Sequence, residues 1–185
     1  MSIVMAQWDS YGFTKATKLK RYINRIKKRF IGRELTGVHS MGGVFSEEDL
    51  DKYGRFEFDH PVVFDFEGCQ LEVLFESENF ISISVNKLTI GKKPGVKYLQ
   101  FPEYYEWSDI SSSFQRFIGH RVVDFRIKSF SSEGFPDWIS VFGSSAPAGD
   151  DYIAAFAMVF DNGYVVDMSG FLEFMHIRII EEKEL

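Results

Sequence analysis

With Cys69 as its one cysteine in 185 residues, the chain can form neither an internal disulfide nor a multi-cysteine zinc site. A reducing compartment is the simplest home for such a sequence. The longest uninterrupted apolar run, residues 153–160, is far too short to span a bilayer, and the opening MSIVMAQWDS lacks the charged and apolar regions of a signal peptide. The expectation is therefore a cytoplasmic protein with no membrane partner. Good helix formers are also scarce, since 9 Leu and 7 Ala stand against 20 Phe, which inverts the usual order and favours pleated sheet. Several chemistries lack their signatures altogether. There is no HExxH, no GxSxG, no Walker loop and no GxGxxG, and the four histidines (His39, His60, His120, His176) have no zinc spacing. No metal and no cofactor is implied.

What is present is an ordinary globular composition, 45% hydrophobic and 26% charged. A chain of this length buries enough surface to fold without covalent staples, so residues 1–185 read as a single domain. The charge is unevenly placed. Residues 10–33 hold nine Lys and Arg and no acid, so with a net charge of −6 the remainder of the chain carries −15. Such segregation points to a partner on one face or to neutralisation within the fold.

The sequence also repeats itself. Arg29-Phe30-Ile31-Gly32 recurs as Arg116-Phe117-Ile118-Gly119, and the same offset of 87 aligns Leu35 with Val122 and Val38 with Phe125. Val63-Phe64-Asp65 matches Val159-Phe160-Asp161 at an offset of 96, and Ile81, Ile83 and Val85 match Met175, Ile177 and Ile179. Two halves follow, at about residues 16–85 and 108–180, with a Gly- and Pro-bearing linker over 86–107. In the first half Leu19, Tyr22, Ile23, Ile26 and Phe30 form one stripe of an amphipathic helix. In the second, Ile110, Phe114, Phe117 and Ile118 predict a shorter helix, opened by Ser108 or Asp109. Gly32 and Gly119 suit left-handed positions at the helix ends. Asp161-Asn162-Gly163 is a strong hairpin signal, with Phe66-Glu67-Gly68 as its counterpart. The expected fold is α+β, a mostly antiparallel sheet of about six to eight strands built from two repeated helix-plus-strands units, with the helices packed on one face.

Function is less legible than architecture. Paired carboxylates such as Glu76 with Glu78 would allow a carboxylate-dependent hydrolase, but none stands alone in an apolar setting that would tune its ionisation. The basic helix, with Lys18, Lys20, Arg21, Arg25, Lys27 and Lys28, offers a nucleic-acid-binding or regulatory alternative. Tyr98, Phe101, Tyr104, Tyr105 and Trp107 would then stack bases, although a pI near 5.3 is contrary to that footprint. Long excursions after the first strand of each half, 40–55 and 129–151, are placed to frame one surface.

A small, acidic, duplicated α+β chain with the repeated RFIG segments at 29–32 and 116–119 and the acidic stretch at 46–51 resembles bacterial toxin-immunity proteins. That resemblance implies a non-catalytic protein-binding module that neutralises a cognate toxin, with an acidic surface covering the basic groove of, for example, a nuclease. On this reading the partner-binding residues are Glu47, Glu48, Asp49, Asp51, Asp137, Trp138, Asp150 and Asp151.

Overall fold

A computed structural model describes residues 8–41, 55–91, 106–131, 134–140, 151–171 and 174–185. The first half contributes β1 (Tyr11–Phe13), α1 (Ala16–Ile26), β2 (Leu35–Met41), β3 (Phe56–Phe58), β4 (Val62–Phe66), β5 (Cys69–Ser77) and β6 (Phe80–Val85). From the second come β7 (Trp107–Asp109), β8 (Val122–Ser131), β9 (Gly134–Ser140), β10 (Tyr152–Phe160), β11 (Tyr164–Phe171) and β12 (Phe174–Glu181). The fold is α+β and mostly antiparallel. In place of one sheet of six to eight strands there are two six-stranded sheets, ordered β1-β6-β5-β4-β2-β7 and β3-β12-β11-β10-β8-β9. Four strands in each half (β2, β4, β5 and β6; β8, β10, β11 and β12) were visible in the sequence, whereas β9 falls in the expected excursion at 129–151, and period-2 patterning says which face is apolar and not which sheet a strand joins.

The two sheets turn their apolar rows toward each other. In the first sheet Val38, Phe64, Leu71 and Val85 stand side by side across β2, β4, β5 and β6, and in the second Phe125, Met158, Val166 and Ile179 do the same. These rows meet in one buried cluster that also takes in the apolar stripe of α1. Phenylalanine rings tie it together: Phe30 lies 5.3 Å from Phe66 of the first sheet and 6.2 Å from Phe125 of the second, while Phe117 lies 4.8 Å from Phe160. The approach is close enough at one point to demand glycine. A Cβ on Gly170 in β11 would fall 2.0 Å from the Ser77 carbonyl oxygen of β5, a backbone atom that cannot swing aside.

The inner four strands of the sheets correspond in order, β6-β5-β4-β2 beside β12-β11-β10-β8. Their registers agree as well, but not at the sequence match. Phe66 stands opposite Leu35 as Phe160 stands opposite Val122, so β4 and β10 correspond at a spacing of 94, and Val63-Phe64-Asp65 is displaced from its sequence counterpart by one pleat period. The cause is the hairpins: Glu67-Gly68 is a two-residue turn and Asp161-Asn162-Gly163 a three-residue one, each with its glycine at positive φ. The edge strands are exchanged. β3, from the first half, borders the second sheet beside β12, and β7, from the second, borders the first sheet beside β2. Trp107, at the end of the anticipated linker, is thus already in a strand.

Where the halves meet, backbone hydrogen bonds run in reciprocal pairs. Gly32 N–H donates to the Val122 carbonyl (2.8 Å) and Gly119 N–H to that of Leu35 (2.9 Å), while Leu35 N–H donates to His120 and Val122 N–H to Arg33. Glu34 faces Arg121 across this seam, their side chains 2.7 Å apart. Both glycines have left-handed φ, +79° and +81°, which lets the chain leave the apolar turn and enter the seam.

The second helix does not form. Ser111–Phe114 is a single 3-10 turn, so one α-helix rather than two packs against the sheets. Serine side chains compete with helical hydrogen bonding, and here the segment is pinned to β2: Ile110 N–H donates to the Val38 carbonyl, and Ser111 Oγ accepts from Val38 N–H. Asp109 does open the turn, its carboxylate accepting from Ser111 N–H at 2.9 Å. Among the described residues no helix is long and apolar enough to cross a membrane.

Candidate interaction surface

α1 forms because Ala16, Leu19, Ile23 and Ile26 recur at helical spacing and are buried, with Tyr22 and then Phe30 completing the stripe. It has no acid in its first turn and no cap of its own. Asp151 supplies both from a distant part of the chain. Its carboxylate accepts from Thr17 N–H at 2.9 Å and from the Thr17 hydroxyl, while its carbonyl accepts from Ala16 N–H. A residue expected to meet a partner is therefore engaged in starting the helix.

Once the apolar stripe is buried, the opposite side of the helix is cationic. Lys18, Arg21 and Arg25 on α1, and Lys28 and Arg29 in the 3-10 turn Lys27–Arg29 that follows it, are exposed, and none has a carboxylate within ion-pair distance among the described residues. Arg25 lies over the Tyr22 ring, 5.7 Å from its centre. Lys20 and Lys27 are half-buried on the flank and make interactions of their own. Lys18, Arg21, Arg25 and Lys28 recur at i, i+3, i+7 and i+10, one row about 15 Å long at 1.5 Å per residue. Five cations elsewhere are paired with carboxylates: Lys87 with Asp9, Arg121 with Glu34, Arg126 with Asp124 and Glu182, Arg178 with Asp167 and Lys183 with Glu181.

Two exposed tyrosines lie against the helix and the residue that precedes it. Tyr11, 58% exposed, has its ring 5.1 Å from that of Tyr22, and Tyr152, 38% exposed, carries the Lys15 ammonium 4.1 Å from its ring centre. Burial, with the neighbouring Tyr11 and Glu72, pushes the Tyr22 hydroxyl up to about 12, so it stays protonated beneath Arg25. Tyr11 and Tyr152 were missed in the sequence because each follows polar residues, and only the fold brings them to the helix. The aromatic group proposed from sequence, Tyr98, Phe101, Tyr104 and Tyr105, lies outside the described residues, and Trp107 sits in β7 opposite Met41.

Of the acidic residues expected to bind a partner, Glu47, Glu48, Asp49, Asp51 and Asp150 lie outside the described residues. Asp137 and Trp138 are in β9, opposite Ser129 and Lys128 of β8. The described carboxylates with unusual surroundings are elsewhere. Glu72 is fully buried in the row Asp109, His39, Val63, Glu72, Ser84 across the outer side of the first sheet. Its oxygens accept from Lys87 N–H (2.8 Å), Leu88 N–H (3.1 Å) and the Ser84 hydroxyl, which in turn accepts from Trp8 Nε1–H. Asp167 holds the corresponding place in the second sheet, in the row Arg126, Ala157, Asp167, Arg178, and is tied to Arg178. Burial raises both carboxyls above the ordinary range. Both Glu72 oxygens accept hydrogen bonds from the chain itself, whereas at Asp167 the Arg178 guanidinium reaches Oδ2 and the buried Oδ1 has no hydrogen-bond partner among the described residues.

His39 Nε2 lies 3.0 Å from Asp65, and the Ser111 hydroxyl beside the same strand accepts from Val38 N–H and is hydrogen-bonded to Asp109. Among the described residues no group of three or more His, Cys, Asp or Glu side chains is placed to hold a metal ion. Comparison with protein-family models, with curated proteins and with solved structures finds no match.

Proposed function

We propose that the protein is a non-catalytic, cytoplasmic binding module that neutralises a partner protein, as toxin-immunity proteins do, and that the exposed row on α1 is its docking face. The unneutralised row carries this reading. Like charges three and four residues apart destabilise a helix by roughly 0.2–0.5 kcal/mol per pair. Lys18 with Arg21, Arg21 with Arg25 and Arg25 with Lys28 and Arg29 stand in that relation with no acid interposed. An anionic partner would relieve that repulsion. Glu47, Glu48, Asp49 and Asp51, with Asp137, Trp138 and Asp150, belong to the same proposal as a second contact of opposite sign, whereas Asp151 is assigned to the helix start.

The halves at 16–85 and 108–180 are read as copies of one unit. The reciprocal seam bonds, the matching strand order and the placement of Glu72 and Asp167 at corresponding positions support this. The nucleic-acid reading draws on the same row, through Lys18, Lys20, Arg21, Arg25, Lys27 and Lys28.

The test is co-expression with the product of the gene adjacent to this protein's own. If that product arrests growth alone, the intact chain should restore growth, and charge reversal at Lys18, Arg21 and Arg25 should abolish the rescue while leaving the thermal transition in place. Hydrolysis of a sugar, phosphodiester or ester by the purified protein, lost on substitution of one carboxylate or histidine in a folded variant, overturns the reading.

A further inference from the structure

We infer that the cationic row along α1 and the turn that follows it receives a carboxylate-bearing helix or ridge of a partner protein, with Tyr11 and Tyr152 as apolar anchors; this rests on the binding-module reading and names its partner's chemistry. Three observations converge on it. The row is short: Lys18 to Lys28 covers about 15 Å, three turns of a helix. A duplex carries one charge per about 1.7 Å of axis and continues in both directions. It would run from the row onto a chain whose residues outside 10–33 sum to −15, and such charges are felt over roughly 8 Å at physiological salt. A carboxylate patch of the row's own length avoids that repulsion.

The second observation is composition. Arg21, Arg25 and Arg29 present planar forks that pair with carboxylates through two parallel N–H···O bonds. The third is the pair of exposed rings. Tyrosine and arginine are the residues that most often dominate the energy of a protein interface, and a ring anchors best where cations around it hold the partner in place. Tyr11, backed by the Tyr22 ring under Arg25, and Tyr152, under Lys15, are built in that way. Rim charges act mainly on the rate of association, and the anchored rings on dissociation.

The probe is a helical peptide of about 14 residues carrying glutamates at i, i+3, i+7 and i+10, titrated against the full-length protein at about 50 mM salt. Duplex DNA of about 20 base pairs and phosphatidylserine vesicles are titrated in parallel. The peptide should bind more tightly than either, with affinity falling about tenfold on raising salt to about 300 mM. Reversal at Lys18, Arg21 and Arg25 should lower the on-rate severalfold. Tyr11→Ala and Tyr152→Ala should raise the off-rate and leave the salt dependence unchanged, in variants whose circular dichroism matches the parent. Tighter binding to the duplex assigns the row to nucleic acid, tighter binding to vesicles assigns it to a lipid surface, and absence of all binding makes it a solvated face; each overturns the inference. Failure of the peptide while growth rescue still depends on the row overturns this assignment alone, and absence of rescue overturns the reading beneath it.

Discussion

Phe30 and Phe117 are the residues on which both halves of the molecule close. Each is fully buried, and their rings contact Phe66 and Phe125 in one case and Phe114 and Phe160 in the other. Truncating either to alanine removes those contacts and leaves a cavity that backbone seams on both sides prevent from collapsing. Chemical denaturation should show a loss of about 3–5 kcal/mol for each variant. A loss under about 1 kcal/mol in both would mark them as peripheral. Glu72 acts in the opposite sense. Its carboxyl is raised above the ordinary 4.5 chiefly by burial, against the hydrogen bonds from Ser84, Leu88 and Lys87. A carboxyl raised on folding stabilises the native state fully below 4.5. That contribution is lost as pH rises through the raised value, because across that window the native chain holds a proton the unfolded chain has released. The unfolding free energy should therefore fall as pH climbs from 4.5, and Glu72→Gln should flatten the profile; Asp167, raised for the same reason, leaves a residual slope of the same sign. Denaturant titrations at a series of pH values decide it, and parallel profiles for parent and variant would refute the assignment. The apolar identity of the phenylalanine positions was legible from the repeated RFIG segments. Glu72 was not, since an alternating Glu in a strand reads as solvent-facing unless one knows what covers the other side of the sheet.

At the scale of elements, α1 was legible because its apolar stripe and its cations fall on opposite sides of a 3.6-residue period. The stripe residues Leu19, Ile23 and Phe30 are buried as the pattern requires. Its start was not legible. The cap, Asp151, is 134 residues away from Thr17, and nothing local marks the two as neighbours. Replacing Asp151 by alanine should cost about 0.5–2 kcal/mol, with most of the loss restored by asparagine, which keeps an oxygen for Thr17 N–H. Far-UV circular dichroism and denaturation check this. An unchanged variant would release Asp151 for the partner role that the sequence suggests. The second expected helix fails for a local reason that the sequence did carry, the three serines at 111–113, outweighed in the reading by the apolar spacing of Ile110, Phe114 and Phe117. β3 and β7 escaped notice because three residues are too few to show a period, and both owe their place to the sheets they border.

On the scale of the whole molecule, the exchange of those two edge strands couples the halves more tightly than two packed copies would be. β3 completes the second sheet, β7 the first, and the seam between Gly32, Leu35, Gly119 and Val122 shares its backbone hydrogen bonds between the two segments. Either half alone would expose one face of a sheet whose buried strands are apolar on the side facing the other, together with unpaired backbone at the seam. A single sheet with an open apolar face has no independent stability. Cutting the chain between residues 91 and 106 should therefore give two fragments that each lack a cooperative thermal transition and near-ultraviolet dichroism. Co-expression should restore both, because the cut falls between β6 and β7 and leaves every described strand intact. Phe30 supplies a control. In the fragment pair, Phe30→Ala removes the ring that reaches Phe66 of one fragment and Phe125 of the other, so it should weaken fragment association in proportion to its effect on the intact chain. A fragment that unfolds cooperatively by itself, or a Phe30→Ala pair that assembles as tightly as the parent pair, would show that each half carries its own core and that the shared one is secondary.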